Sequence, residues 1–274
     1  LTIIVAAVPE GLPLIVKLVT KQNVKTMEKF NILAKNPGKI PELAYVDLIC
    51  TDKTGTLTTG VMTPQKIIDG FGNDIDKASV LWNNIETNIA LNNSAVFDSE
   101  NNITGGNSID RAVLGLIKPE KYDQIKEKHP VKLKQVFNSS NKYSAVTEKD
   151  GVTYYKGAPE KLIDHCTKAM SMNGDAVDIN KDSLKEAISA MTKKAMRCIA
   201  VAVADGDLNE NELLDMTFLG VIGVTDPVRK EVPDAVKKAH EAGIQVIEIT
   251  GDCLETAVAV ATECGIYTEG DLAL

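Results

Sequence analysis

The sequence lacks paired cysteines, an excess of positive charge, internal repeats and low-complexity tracts. Its five cysteines have no CxxC spacing and only three histidines accompany them, so we expect reduced thiols in a cytosolic setting and no zinc site. The net charge of -8 speaks against a nucleic-acid partner, because binding to a phosphate backbone needs a basic face. With 274 residues, 44% of them hydrophobic and 25% charged, the chain is expected to fold as about two domains.

One seven-residue string, Asp52-Lys53-Thr54-Gly55-Thr56-Leu57-Thr58, points to phosphoryl transfer. It follows an apolar run at residues 45–50, which predicts a buried parallel strand. A carboxylate at the carboxyl end of such a strand lies where open α/β sheets bind ligands. Gly55 permits a sharp turn, whose threonines and free N–H groups can bond phosphoryl oxygens. Asp52 is therefore placed to attack the γ-phosphate of ATP.

This string resembles the phosphorylation motif of the P-type cation-transporting ATPases, within the wider haloacid-dehalogenase-like phosphotransferases. The resemblance implies that Asp52, Lys53 and Thr54 are catalytic, with Asp52 and the Thr54 carbonyl holding Mg²⁺. The wider group has a second aspartate, a general acid/base, at the position of Thr54. Threonine cannot relay a proton near neutral pH, so we expect a long-lived aspartyl-phosphate, as a pump needs, rather than a soluble phosphatase.

A second motif follows another predicted strand, at residues 244–249, which comes after a predicted helix at residues 233–242. The strand ends in Thr250-Gly251-Asp252, and a predicted helix at residues 254–263 is capped by Gly265. The string resembles the TGD motif of the same family. The resemblance implies that Thr250 and the Gly251 N–H stabilise the transferring phosphoryl group, and that Asp252 contacts the nucleotide or the Mg²⁺ region.

The resemblance also implies an adenine pocket in an inserted domain. Phe137 would stack on the base and Lys142 would be the pocket lysine, although a core aromatic is the commoner reading of Phe137 alone. Lys156 and Gly157, in a KGAPE string, would lie against the base, unless this is simply a strand-to-helix loop. Asp110 takes the place of an acidic residue of the family.

Three further residues are implied in binding phosphates and in domain closure. Arg197 would reach the phosphates through its planar guanidinium fork, with a surface ion pair as the alternative. Asp226 and Arg229, in a DPVR string, resemble the hinge by which the chain returns to the first domain, after an outward hinge at residues 59–60. Either residue would contact nucleotide as the domains close.

The N-terminal segment, residues 1–20, is apolar with few interruptions, and the chain lacks an initiator Met. We predict part of a membrane span, unwound at two prolines and continued by a basic cytosolic stalk at residues 17–39. The alternatives are a buried strand and turn, and a signal peptide, against which the absence of a charged n-region speaks. Carbonyls beside one carboxylate suit Ca²⁺. The string VAAVPEGLP resembles the fourth transmembrane helix of calcium pumps, which implies Ca²⁺ ligands at Glu10, Val5, Ala6 and Val8.

The expected fold is α/β. It comprises a transmembrane remnant (1–20), a Rossmann-type haloacid-dehalogenase-like phosphorylation domain (21–59 and 225–274) that is incomplete at its C-terminus, and an inserted α+β nucleotide-binding domain built on an antiparallel sheet (60–224). The family's GDGxNDxxA segment is absent, so we expect the polypeptide alone to bind ATP and Mg²⁺ without sustained turnover. The expected whole is a membrane-bound, ATP-driven Ca²⁺ pump with its residues after about 20 in the cytosol. The alternatives are a non-catalytic nucleotide-binding module and a pump for Mn²⁺, Na⁺, K⁺ or H⁺.

Overall fold

The structure is a computed structural model that describes residues 2–209 and 213–274, with the backbone alone for residues 2–10. The Glu10 side chain, predicted to bind Ca²⁺, therefore lies outside the described part. Val5, Ala6 and Val8, predicted to bind through their backbone carbonyls, lie in the helix Thr2–Glu28. The chain divides into two compact units. One comprises residues 1–50 and 237–247, and the other comprises residues 51–236 and 248–274.

Helices and strands are interspersed along the described residues. The helices are α1 Thr2–Glu28, α2 Val80–Leu91, α3 Ser108–Leu114, α4 Pro119–Lys128, α5 Pro159–Leu162, α6 Lys181–Thr192, α7 Val232–Glu241 and α8 Leu254–Cys264. The strands are β1 Leu48–Asp52, β2 Thr63–Ile68, β3 Ala95–Phe97, β4 Ile103–Gly105, β5 Val131–Gln135, β6 Tyr143–Glu148, β7 Val152–Gly157, β8 Cys166–Met170, β9 Ala176–Asp178, β10 Arg197–Asp205, β11 Met216–Thr225 and β12 Gln245–Ile249. The mixed α/β composition expected from the sequence is confirmed.

Helix α1 runs without interruption past Pro9 and Pro13, so the predicted break at these prolines is wrong. Each proline removes one backbone hydrogen bond, but the turns on either side keep theirs, and the surrounding Leu, Ile and Ala residues favour a helix. Among the described residues, no helix combines the length and the apolar character needed to cross a membrane.

Helix α1 also ends earlier than the predicted stalk. Asn31 adopts a left-handed conformation with φ 60°, and the N–H of Ile32 donates to the carbonyl of Met27 at 3.0 Å. This is the hydrogen-bond pattern of a Schellman cap, in which a left-handed residue just beyond the last turn stops the helix. A 3₁₀ turn, Pro37–Tyr45, follows where the sequence predicts a turn at residues 36–41.

Strand β1 pairs with β12 in a two-stranded sheet, and the N–H of Gln245 donates to the carbonyl of Asp47 at 2.8 Å. The strand begins three residues later than predicted, because the 3₁₀ turn extends to Tyr45. It is also more exposed than the predicted buried strand, with Leu48 43% and Ile49 39% exposed. Two strands leave most of their apolar surface uncovered.

The largest element is an eight-stranded sheet with the order β5-β6-β7-β10-β11-β8-β9, in which β2 also pairs with β11. Its pairs are antiparallel except for β11 with β8. One face packs against α2, α3 and α4, and the other packs against α5 and α6. The central strands β7, β10 and β11 are therefore buried on both faces, which holds the sheet ends rigid around the site described below.

Candidate functional site

The predicted nucleophile Asp52 ends β1 and begins a tight turn, Lys53–Leu57. Gly55 makes this turn possible with φ 76° and ψ -3°, a conformation that side-chain-bearing residues avoid. The N–H of Gly55 donates to the Thr58 hydroxyl at 3.2 Å, and the N–H of Thr58 donates to the carbonyl of Lys53 at 3.1 Å. The closed turn leaves the Asp52 side chain exposed, where a phosphoryl donor can reach it.

The two predicted phosphoryl-binding strings meet through one ion pair. The ammonium group of Lys53 contacts the Oδ2 atom of Asp252, and the side chain of Lys53 is only 9% exposed. The N–H of Asp252 donates to the hydroxyl of Thr250 at 3.2 Å, while Gly251 has open space where a side chain would be. Residues about 200 positions apart are thus joined at one place, as expected for parts of a single site.

Five predicted site residues line a single open cleft of about 830 Å³. This volume lies within the range of ligand-binding clefts, about 300–1,000 Å³. The predicted residues along it are Lys53, Thr54, Arg197, Asp226 and Asp252. The lining carries both cationic and anionic side chains, which suits a phosphate chain together with a bound cation.

Asp226 links the segment that runs from β1 to the large sheet with the segment that leaves the large sheet after β11. Its Oδ2 accepts from the Thr58 hydroxyl at 2.6 Å, and its Oδ1 accepts from the Thr59 hydroxyl at 3.0 Å and the Gly60 N–H at 2.8 Å. Arg229 reinforces the link, donating from Nη2 to the Gly55 carbonyl at 3.0 Å. Both residues, predicted to contact nucleotide, here bond to the turn and the connecting segments.

Two of the residues predicted for the adenine pocket form a buried ion pair. The Nζ atom of Lys156 lies 2.7 Å from Oδ1 of Asp110, with side-chain exposures of 8% and 11%. Burial lowers the pKa of Lys156, and the neighbouring Asp110 carboxylate opposes that shift. Neither residue lies among those lining the cleft, although Ser108 and Ala158, each two positions away along the chain, do.

Gly157 is required by the packing of its own strand. A Cβ atom there would lie 2.5 Å from both the Lys142 carbonyl oxygen and the Tyr143 Cβ. We therefore expect Gly157→Ala to lower the free energy of unfolding by about 1–3 kcal/mol, since overpacking against backbone cannot relax. Urea denaturation measures this loss.

The matched control for that substitution is Gly115→Ala, where the nearest atom to an added Cβ, the Ala112 carbonyl oxygen, is 3.4 Å away. Gly115 has an ordinary helical φ of -62°, so its variant should unfold at the wild-type urea concentration. Equal midpoints for Gly157→Ala and wild type would contradict the packing argument.

The other two predicted adenine residues are exposed. Phe137 is 51% exposed and lies next to a turn in which Lys142 adopts φ 59°. The Nζ atom of Lys142 lies 3.3 Å from Oε1 of Glu160, and Glu160 lines the cleft. Phe137 is thus not a core aromatic, and its ring is available to a ligand.

One wall of the cleft was missed by sequence reasoning. Lys185, Ile188 and Thr192 project from α6 into the cleft. Their spacing of three and four residues places them on one face of the helix. A helical-wheel projection of this segment would have shown that shared face. No motif marks them, because the same spacing occurs on any amphipathic helix.

Glu248 was also missed, although it is an ionisable residue in the otherwise apolar strand β12. Both of its carboxyl oxygens are buried, and within the described residues neither has a hydrogen-bond partner. Burial raises the pKa of Glu248; the nearby charge of Lys53 opposes this, and those of Asp252 and Asp52 add to it. The carboxyl group therefore belongs to the same electrostatic cluster as the predicted nucleophile.

The residues predicted to hold Mg²⁺ have suitable chemistry. Asp52 and Thr54 are both exposed in the turn and offer a carboxylate and a carbonyl oxygen. Mg²⁺ usually binds one or two carboxylates and completes its shell with water and substrate phosphates. The described residues contain no cluster of three or more His, Cys, Asp or Glu side chains that could hold a metal ion by themselves.

Comparisons with known proteins agree on one family. The family model described as the P-type ATPase cytoplasmic domain N matches residues 81–231. The human plasma membrane calcium-transporting ATPase 4 is 36% identical over 99% of this chain and 24% of its own length. The putative plasma membrane-type calcium-transporting ATPase 13 of Arabidopsis thaliana is 33% identical over 98% of this chain and 29% of its own. The chain thus spans about a quarter of the length of these curated relatives.

Proposed function

The chain belongs to the P-type ATPases, and on that premise we propose that it forms the ATP-binding and phosphate-accepting part of a calcium pump. The observation that carries the proposal is the contact of Lys53 with Asp252, which joins the two phosphoryl-binding strings beside the exposed Asp52. The names of the relatives support Ca²⁺ as the transported ion. Residues 1–20, with Glu10, Val5, Ala6 and Val8, would belong to the membrane part of that pump.

The proposed domain arrangement follows the two strings and the large sheet. Residues 21–59 and 225–274 would form the haloacid-dehalogenase-like phosphorylation domain, and residues 60–224 would form the inserted nucleotide-binding domain. The residues matched by the family model, 81–231, lie mostly within this insertion. The strands of the large sheet lie between Thr63 and Thr225. These observations support the boundaries near the Asp226 link.

The proposed reaction is transfer of the γ-phosphoryl group of ATP to Asp52. A carboxylate oxygen of Asp52 forms a bond to the γ-phosphorus as the bond to the β,γ-bridging oxygen breaks, and ADP leaves with that electron pair. Thr250 and the N–H of Gly251 would stabilise charge on the transferring group. Mg²⁺, bound through Asp52 and Thr54, would neutralise charge on the phosphates.

The nucleotide would lie along the cleft with its phosphates toward Asp52. Arg197 would bind phosphate oxygens, and Phe137 would stack on the base with Lys142 beside it. The Asp110–Lys156 pair and Gly157 would form the wall behind the base, while Asp226 and Arg229 would hold the connection between the two domains. Ser108, Ala158 and Pro159, which also line the cleft, would complete its end near the base.

The decisive test of this function is phosphoenzyme formation from γ-labelled ATP by the full-length protein in membranes, with and without micromolar Ca²⁺. Acid-stable, hydroxylamine-sensitive label that requires Ca²⁺ is expected. Label independent of Ca²⁺ would retain the phosphoryl transfer and reject the ion. Absence of label under both conditions would reject the catalytic function.

Nucleotide binding provides a separate prediction. The present chain should bind ATP without sustained turnover, and Arg197→Ala should weaken binding about tenfold or more, because charge-assisted hydrogen bonds to phosphate contribute about 1.5–3 kcal/mol. Displacement of a fluorescent ATP analogue measures the affinity, and phosphate release measures turnover. Lys194→Ala, an exposed cation in the adjacent loop, should bind as wild type; equal losses in both variants would indicate non-specific electrostatics.

A further inference from the structure

The segment that carries Phe137 leaves the large sheet at one of its edges. Strand β5 lies at the end of the strand order, and among the described strands it pairs with β6. That pairing ends where Gln135 faces Ala145. An edge strand has a pairing partner on one side only, so the position of the residues that follow it depends on other contacts.

One such contact comes from Lys134, which lies next to the end of that pairing. Its Nζ atom donates to the backbone carbonyl of Asn93 at 2.8 Å, in the segment that follows α2. A hydrogen bond from a charged donor is stronger than a neutral one, so Lys134 anchors β5 just before Phe137. The other end of the Phe137 segment is anchored through the backbone, because the N–H of Ala158 donates to the carbonyl of Lys142 at 2.9 Å.

Asn93 connects this anchor to the Asp110–Lys156 pair. The residue is buried, with 6% of its surface exposed, and its Oδ1 atom accepts from the N–H of Ala95 at 2.9 Å. Its Nδ2 atom donates to the backbone carbonyl of Asp110 at 3.1 Å. The carboxylate of Asp110 in turn accepts from the ammonium group of Lys156 at 2.7 Å. A chain of contacts therefore runs from β5 through α3 to β7.

We propose that Lys134 and Asn93 are positioning residues for the nucleotide base: they fix the segment that carries Phe137 relative to the strand that carries Lys156. The inference rests on the proposed function, because it concerns the same base pocket. Phe137 follows β5, whereas Lys156 and Gly157 end β7, so two separate elements must be held at the right spacing for the base to bind. Neither Lys134 nor Asn93 lies among the residues lining the cleft, so both act through other residues.

The anchor acts on the base end of the proposed nucleotide and not on its phosphate end. The chain of contacts includes neither Arg197, proposed to bind phosphate, nor Asp52, proposed to accept it. Loss of the anchor should therefore weaken the binding of ATP but not that of inorganic tripolyphosphate, which has the phosphates without the base. A loss of positive charge or of the fold would weaken the binding of both ligands.

The test measures the binding of ATP and of inorganic tripolyphosphate to this chain by isothermal titration calorimetry in the presence of Mg²⁺. Lys134→Met keeps the aliphatic stem and removes the donor, so ATP should bind about threefold to tenfold more weakly, with tripolyphosphate binding unchanged. Lys134→Arg keeps a cationic donor and should restore most of the ATP affinity. The matched control is Lys132→Met, which removes an exposed cation of the same strand that pairs with Asp207; it should bind both ligands as wild type does.

A second substitution tests the other half of the chain of contacts. Asn93→Ala removes the donor to the Asp110 carbonyl and should also weaken ATP binding. Because either break releases the Phe137 segment, the double variant Lys134→Met/Asn93→Ala should lose no more ATP affinity than Asn93→Ala alone. Since Asn93 is buried, the melting temperatures of its variants are measured first, and the variants of the exposed Lys134 decide the test if the Asn93 variants unfold.

The outcomes separate this inference from the proposed function. Unchanged ATP affinity in Lys134→Met, or equal losses for ATP and tripolyphosphate, would overturn the positioning role while ATP binding by wild type still stands. Additive losses in the double variant would show that Lys134 and Asn93 act separately and would overturn their shared role. If the wild-type chain does not bind ATP, the proposed function fails and the inference fails with it.

Discussion

Asp52→Asn is expected to abolish the phosphoenzyme while leaving the fold intact. An amide has nearly the size of a carboxylate but lacks its nucleophilic oxygen, so no acyl-phosphate bond can form. Asp52 is exposed, and its turn is closed by hydrogen bonds that do not involve its side chain, so little change in stability is expected. Acid-quenched gels with γ-labelled ATP should show label in wild type with Ca²⁺ and background alone in the variant.

The control for this experiment is Asp47→Asn, which removes a carboxylate just before the same strand. The structure uses the backbone carbonyl of Asp47 as an acceptor for Gln245, so its side chain can be changed without loss of that bond. Label equal to wild type is expected. Persistent label in Asp52→Asn would remove Asp52 from its proposed role. A melting temperature of that variant well below that of wild type would leave the loss of label attributable to unfolding.

Asp226→Ala should produce the second largest effect, on the link between the two connecting segments. The substitution removes the charged acceptor of the Thr58 and Thr59 hydroxyls and of the Gly60 N–H. The two hydroxyls retain only neutral carbonyl acceptors, those of Lys53 at 3.1 Å and Val61 at 3.4 Å. Hydrogen bonds to a charged group contribute about 1.5–3 kcal/mol each and are not additive, so a loss of about 2–4 kcal/mol in the free energy of unfolding is expected. Urea denaturation of the chain measures it.

Two variants sharpen this prediction. Asp226→Asn keeps one carbonyl acceptor and should lose an intermediate amount, whereas Asp234→Ala removes an exposed carboxylate from the first turn of α7 and should lose less than about 1 kcal/mol. The predicted order is Asp226→Ala, then Asp226→Asn, then Asp234→Ala. If Asp226→Asn matches wild type, the charge of Asp226 is unimportant and the neutral hydrogen bonds alone hold the link.

The turn after Asp52 shows what the sequence could predict. A glycine inside a threonine-rich string after an apolar run specifies a sharp turn through local chemistry alone, and Gly55 adopts the left-handed conformation. Gly265 likewise caps α8 with φ 77°, as predicted. Such features depend on a few adjacent residues, so their signals survive in a single sequence.

Features that depend on distant residues could not be predicted in the same way. The Asp110–Lys156 pair joins positions 46 residues apart, and nothing in either local sequence specifies the other. Asn88 is similar, since its amide donates to the Tyr155 carbonyl at 2.9 Å and the Ala202 carbonyl at 3.2 Å. These contacts form only when the sheet has assembled. For Asn88, the sequence shows no more than a polar residue on an otherwise apolar helix.

The link at Asp226 has a consequence for how such a protein can change over evolutionary time. The points where the chain leaves for the large sheet and returns from it are joined by the 2.8 Å bond between the Gly60 N–H and the Asp226 carboxylate. Neighbouring ends are what allow one domain to be spliced into another without disturbing the host. The segment between Gly60 and Asp226 could therefore be lengthened, shortened or replaced as a unit, while the turn at Asp52 keeps its geometry.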